Sequence, residues 1–187
     1  MKVFKFGGAS VKDASSVKNV GIVLKSEGFD NCLLVVSAMG KTTNELEVTI
    51  DKYIKKEDYL SEISAIKDKH IQIANEIFDK DHLVFQEIKN IFNGLEKFLA
   101  QNISKDYNFI YDQVVSLGEL ISSKILSLYL NEIGFSNEFL DARKYIKTDN
   151  NYRDGIVNWK KTEENISVLN NDKSYVTQGF IASDYNE

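Results

Sequence analysis

The chain has 187 residues, of which 43% are hydrophobic and 11% aromatic, a composition that supports a packed core and excludes a disordered segment. Its 23 basic and 28 acidic residues give a formal net charge of -5, so there is no basic field to attract nucleic acid or an anionic membrane surface. Cys32 is the single cysteine, which rules out an intrachain disulfide framework and a cysteine-based metal cluster and suits a reducing cytoplasm.

Val3-Phe4-Lys5-Phe6 reads as a short strand closed by Gly7-Gly8, with no secretory apolar region before it. A helical pattern then carries Val17, Val20, Ile22, Val23 and Leu24 as far as Gly28. The run Cys32 to Val36 is near-continuous and branched, as in a strand covered on both faces, and far too short to span a bilayer. Strand, helix and strand at this spacing form a βαβ unit, and a right-handed crossover makes its strands parallel. From Leu46 to Leu99 the period becomes helical. Tyr59, Ile63, Ile66, His70, Ile73 and Ile77 share one face, and Ile88, Ile91, Leu95 and Phe98 form a second stripe. Asp79-Lys80-Asp81-His82 marks the corner between them, and the stretch at about 51–108 is a helical insertion or flank. The pattern beyond it predicts a helix from about Ser116 to Glu132, a strand near Phe135 to Leu140, a helix near Trp159 to Leu169 and a strand from Ser174 to Gln178. No helical pattern follows in Gly179 to Glu187, so the expectation is a chain that stops in mid-architecture, its sheet left for a partner or a continuing sequence to cover.

Three segments carry candidate chemistry. In Lys5-Phe6-Gly7-Gly8-Ala9-Ser10 the glycines let backbone N–H groups approach an anion, and the lysine adds a mobile charge that can follow a phosphoryl group. A tight strand-to-helix turn with an ordinary surface lysine has the same residues. Ser37-Ala38-Met39-Gly40-Lys41-Thr42-Thr43-Asn44 follows the second strand, where hydroxyls and amides can hold a small anionic substrate; alternatively Thr42 or Thr43 caps the next helix. Gly40-Lys41-Thr42 is not a P-loop ending, because that motif needs glycine where Val35 stands. Ser116-Leu117-Gly118-Glu119 has capping-box spacing, yet Glu119 also opens a mostly apolar helix, where a buried carboxylate needs a backbone N–H or a cation such as a substrate ammonium. His70 and His82 read as core or surface histidines, Asp79 and Asp81 lack metal-ligand spacing, and Asp141-Ala142-Arg143 is either an ion-paired turn or a site wall.

Taken in order, Lys5 to Val11, Val35 to Asn44, Ser116 to Glu119, Leu140 to Arg143 and Val176 to Ile181 resemble the aspartate kinases of the amino-acid kinase superfamily, over essentially the whole chain. The resemblance implies an α/β fold, a three-layer αβα sandwich with a mainly parallel sheet, of which residues 1–187 form the amino-terminal, acceptor-binding portion. The nucleotide-binding half and small regulatory domains of that family are not contained in it. Carried onto this sequence, the resemblance assigns Lys5 to phosphoryl transfer and Gly7, Gly8 and Ser10 to the phosphate path. It assigns Ser37 and Thr43 to the acceptor carboxylate, Glu119 to the substrate amino group, and Phe180 to the same pocket. Ala9 stands where the family has threonine, which removes one hydroxyl from the phosphate-facing loop. ATP and Mg2+ are implied in the intact enzyme, with no metal chelated by protein side chains. Aspartate, the remainder of the kinase domain and a homo-oligomer are the implied partners, with no nucleic acid and no membrane. The implied setting is cytoplasmic biosynthesis of lysine, threonine and methionine, and the isolated chain is expected to be inactive. A non-catalytic amino-acid-binding or regulatory module, and a kinase for another amino-acid carboxylate, are the alternatives.

Overall fold

Lys2–Phe6 (β1) and Cys32–Val36 (β2) pair in parallel, with Lys2 opposite Cys32 and Phe6 opposite Val36. The computed structural model describes residues 1–185; Asn186 and Glu187, the end of the segment read as following the last strand, lie outside them. Between the two strands, Gly8–Val11 makes one 3-10 turn and Ala14–Glu27 forms α1. Asp13 starts that helix by accepting from the Ser16 N–H at 2.8 Å, and Gly28 ends it at a φ of 82° that a side chain would resist. Four helices follow without an intervening strand: α2 (Thr42–Lys55), α3 (Leu60–Asn75), α4 (Val84–Gln101) and α5 (Tyr107–Glu132). The chain then makes β3 (Glu138–Leu140), a short α6 (Ala142–Tyr145), α7 (Trp159–Ile166) and β4 (Tyr175–Gln178). Strand β4 inserts between β2 and β3, so the order is β1-β2-β4-β3 and every pair is parallel.

Because side chains alternate along a strand, the register places Phe4, Phe6, Leu34, Val36 and Val176 on one face, and Leu34, Val36 and Val176 are wholly buried there. Helices α1 and α5 cover that face. They meet at Gly21 of α1, where a Cβ would lie 2.7 Å from the Ile133 Cδ1 at the end of α5. Helix α5 lies between the sheet and the helices α2 and α4, and α3 packs on those two from outside. Its middle is therefore buried all round, from Leu117 through Ser123 apart from the half-buried Leu120. On the opposite face Val3 and Lys5 are exposed, and Leu33, Val35 and Thr177 are half-exposed. Among the described residues, no helix is long and apolar enough to cross a membrane.

Two local expectations fail. Helix α5 starts at Tyr107, capped by Asp106, whose carboxylate accepts from the Asn108 N–H at 2.9 Å, so Ser116 and Glu119 lie inside the helix and form no capping box. Residues 107–115 contain neither glycine nor proline, and nothing in them interrupts the helix. Neither Thr42 nor Thr43 caps α2: its cap position is Lys41, without a side-chain bond, and the Thr42 hydroxyl donates to the Met39 carbonyl at 2.7 Å. The corner at Asp79 to His82 does separate α3 from α4, and Nδ1 of His82 accepts from the Val84 N–H at 3.1 Å.

Candidate functional site

The loops leaving β1, β2 and β4 lie side by side at the carboxyl edge of the sheet, where open parallel sheets bind ligands. Backbone bonds stitch them together: Ser37 N–H to Phe6 C=O at 3.0 Å, Gly40 N–H to Gly8 C=O at 3.0 Å, and Gly179 N–H to Val36 C=O at 3.2 Å. Gly8 is the point of closest approach, since a Cβ there would lie 2.7 Å from the Ala38 carbonyl oxygen. A Cβ on Gly7 would meet nothing within 4 Å, so the backbone of the first loop is bare on its outer side. Such a surface is what an anion needs in order to reach main-chain N–H groups. A polar cleft of about 490 Å³ adjoins this loop, lined by residues that include Phe6, Ala9, Ser10, Ser15, Ser16 and Asn19.

Lys5 projects from β1 on the face opposite α5, exposed, and its ammonium makes no hydrogen bond or ion pair among the described residues. A ligand reaching from Lys5 to the α5 side must cross the sheet edge over Gly7 and Gly8. Ser10 is exposed on the same loop, its N–H closing the turn onto the Gly7 carbonyl at 2.8 Å.

On the α5 side, Gly118 lets the helix touch the second loop: a Cβ there would lie 2.9 Å from the Ala38 Cβ. The next residue, Glu119, is 6% exposed. Its Oε1 accepts from the Ala38 N–H at a long 3.4 Å, and its Oε2 has no partner among the described residues. Burial pushes the carboxyl pKa up, and the Ala38 N–H offsets that only in part. A buried carboxylate this poorly satisfied calls for a cation or further donors. Ser37 and Thr43, both half-buried, flank the same loop, and the Ser122 hydroxyl donates to the Ser37 carbonyl at 2.7 Å. Phe180 follows β4 and is 95% exposed, held at a φ of 69° that is rare for a residue with a side chain.

The structure thus brings Gly8 and Glu119 up to Ala38, the neighbour of Ser37, sets Gly7 and Ser10 on the adjoining first loop, Lys5 on β1 before it and Thr43 in the first turn of α2, and leaves Phe180 in solvent. The sequence reading passed over a buried polar network behind the site. Gln178 accepts from the Ala142 N–H at 2.8 Å and donates to the Ser123 hydroxyl at 2.7 Å, which in turn donates to the Glu119 carbonyl at 2.7 Å. Its signal was the trio of serines, Ser122, Ser123 and Ser127, inside an otherwise apolar helix.

Other candidates lie elsewhere. Asp141 and Arg143 form a two-point ion pair, at 2.9 and 2.6 Å, so the ion-paired turn is present; the same residues line a cleft of about 360 Å³ with Glu87, Ile91, Lys124 and Phe139. Burial would raise the Asp141 pKa, but the Arg143 guanidinium outweighs it and holds the carboxyl below its ordinary value. His70 is fully buried between α3 and α4, and His82 stacks on Phe78 with ring centroids 4.3 Å apart. Among the described residues there is no group of three or more histidine, cysteine or acidic side chains arranged to hold a metal ion.

A parallel sheet packed against helices, with an exposed glycine loop at its carboxyl edge opposed by a hydroxyl-bearing loop and a buried carboxylate, defines the chain as an α/β protein. Its lineage is specific: the sequence profile of the amino acid kinase family matches residues 1–187, and the chain belongs to that family. Aspartokinase 2 of Arabidopsis thaliana, a chloroplastic protein, is 31% identical over 79% of this chain, which spans 28% of that relative. A bifunctional aspartokinase/homoserine dehydrogenase of the same plant is 30% identical over 97% of the chain, which spans 21% of it. Escherichia coli aspartokinase III, solved with aspartate and ADP, shares the fold at a TM-score of 0.85 and 22% identity, over 99% of this chain and 42% of that one. Clostridium acetobutylicum aspartate kinase superposes at 0.78 with 25% identity, over the whole of this chain and 40% of that one. The chain therefore spans less than half the length of each of these relatives.

Proposed function

We propose that this chain supplies the acceptor-binding portion of an aspartate kinase, in which the β-carboxylate of L-aspartate attacks the terminal phosphorus of ATP to give aspartyl phosphate and ADP. The observation that carries the proposal is Glu119: a buried carboxylate, half unsatisfied, one hydrogen bond away from a loop that is itself bonded to the glycine loop beside Lys5. An amino-acid acceptor brings the ammonium that such a carboxylate lacks. The similarity to plant and bacterial aspartokinases supports aspartate over other amino acids.

In this reading Ser37 and Thr43 orient the acceptor carboxylate, and Glu119 fixes the α-ammonium so that the β-carboxylate faces the first loop. The main-chain N–H groups of Gly7 and Gly8 and the Ser10 hydroxyl hold phosphate oxygens, and Lys5 moves with the negative charge as it passes from donor to acceptor. Magnesium bound to the phosphates would neutralise their charge, and no side chain of this chain is assigned to it. Adenine and ribose are left to the remainder of the kinase domain. Phe180, in solvent here, would close on the acceptor once that remainder is present. The setting of the activity is then synthesis of the aspartate-derived amino acids lysine, threonine and methionine.

The test is to incubate the full-length protein with ATP, magnesium and a panel of amino acids and to trap acyl phosphate as the hydroxamate. Product with aspartate well above every other acceptor is expected, and equal or greater product with glutamate or another acceptor would refute the assignment. The 187-residue chain alone should give negligible product, because Lys5 and one anion-binding loop cannot align a nucleotide.

A further inference from the structure

Glu119 and Ser122 stand three residues apart on α5, on one side of the helix, and both reach the same peptide unit of the second loop. The Ser122 hydroxyl donates to the Ser37 carbonyl at 2.7 Å, while the N–H across that peptide, on Ala38, donates to Glu119 Oε1 at 3.4 Å. A peptide is planar, with its C=O and N–H pointing in opposite directions, so a rotation that moves one moves the other. We propose that Ser122 is a positioning residue for the Glu119 carboxylate, acting through the Ser37–Ala38 peptide. The inference rests on the reading of Glu119 as the partner of the acceptor ammonium.

Ser123 provides the contrast. Its hydroxyl turns back onto its own helix, to the Glu119 carbonyl at 2.7 Å, as serines buried in helices commonly do. Ser122 is equally buried but spends its donor on another element. Without that bond the Ser37 carbonyl loses its side-chain partner at the site, and the peptide is free to turn. The Ala38 N–H then leaves Oε1, and since Oε2 already lacks a donor, no hydrogen bond from the second loop holds the carboxylate. Two effects follow: the carboxylate points less reliably at an ammonium, and it takes up a proton at higher pH, because the ionised form has lost its donor.

The experiment compares Ser122→Ala, Ser127→Ala and Glu119→Gln in the full-length protein by hydroxamate assay between pH 5.5 and 8.5, with thermal unfolding of each. Ser127 serves as the structural control: its buried hydroxyl is on the same helix but bonds Asn137 Oδ1 at 2.6 Å. For Ser122→Ala the acid limb of kcat/KM for aspartate should move up by about one pH unit, raising the aspartate KM up to about tenfold on that limb, with the ATP KM within about twofold of wild type. Ser127→Ala should lower the Tm without moving the limb. Should Ser122→Ala be too unstable to assay, Ser122→Cys keeps the shape with a weaker donor and should give a smaller shift of the same sign. An unmoved acid limb in the Ser122 variants, with Glu119→Gln defective in acceptor use, would overturn the positioning role and leave the acceptor reading intact. Unchanged aspartate kinetics in Glu119→Gln would instead overturn the acceptor reading and the inference with it.

Discussion

His70 should make the helical layer lose stability in mild acid. The ring is 0% exposed, packed near Phe92 with ring centroids 6.1 Å apart, and its Nδ1 lies 2.7 Å from the Ile66 carbonyl. A carbonyl can only accept, so the neutral ring carries its proton on Nδ1, and Nε2 is a buried lone pair with no partner among the described residues. Protonation would put an N–H donor and a full charge at that unpartnered position. Burial is the main reason the pKa falls from 6.5 to about 4, with nearby Lys69 adding to the effect, and the Ile66 bond and Glu45 opposing it. The sign follows from linkage: the unfolded chain takes up the proton first, so stability is full above about pH 6.5, falls as pH drops towards about 4, and levels off below. A difference of roughly 2.5 units corresponds to about 3 kcal/mol. Urea unfolding followed by circular dichroism at pH 7, 6, 5 and 4 measures this, with His70→Leu as the comparison. Wild type should lose about 3 kcal/mol more than the variant across that range, and parallel losses in the two proteins would refute the reasoning.

Two further substitutions separate stability from function at the site. Glu119→Gln should be more stable than wild type at neutral pH, because burial disfavours the charge it removes, and the gain should vanish as acid protonates the wild-type carboxyl; thermal unfolding at pH 7 and 4 reads this, while aspartate-dependent turnover falls. Gly118→Ala sets helix propensity, a gain of about 1 kcal/mol, against a Cβ placed 2.9 Å from that of Ala38, an overpacking cost of about 1–3 kcal/mol. The overlap should win, lowering the Tm and raising the aspartate KM, and a more stable variant with unchanged kinetics would show that α5 and the second loop can part freely.

What the sequence disclosed depended on how local the cause was. The strands β1, β2 and β4 were visible as short apolar runs ended by glycine or polar residues, and the βαβ unit as their spacing. The α3 and α4 stripes were visible because each helix has one buried face. Helix α5 was harder, since it is buried from both sides and its apolar residues show little periodicity. There the strongest start signal was Ser116-x-x-Glu119, and the cap that the helix uses, Asp106, lies before an aromatic stretch without helical stripes. The placing of β4 between β2 and β3 also left no local trace, because strand order is set by packing over the whole chain.

The same distinction runs through the site. Gly8 was readable because the close approach of two main chains, here to the Ala38 carbonyl, demands a residue without bulk at a fixed place after a strand. Glu119 was readable only as a question, whether its carboxylate is satisfied by a backbone N–H or by a ligand. In the structure a backbone N–H, that of Ala38, gives one oxygen a long bond, and the other oxygen has no partner among the described residues. Nothing in a linear pattern distinguishes Ser122, which grips another element, from Ser123, which bonds its own helix, since the two are adjacent and identical. Their difference arises from rotation: neighbouring helix positions point about 100° apart. Ser122 is turned towards the second loop, and Ser123 towards Gln178 at the end of β4. Helix α5 therefore works as a ruler laid across the sheet edge, and its rotational setting, fixed where Gly118 meets Ala38, decides which of its polar groups can take part in the site.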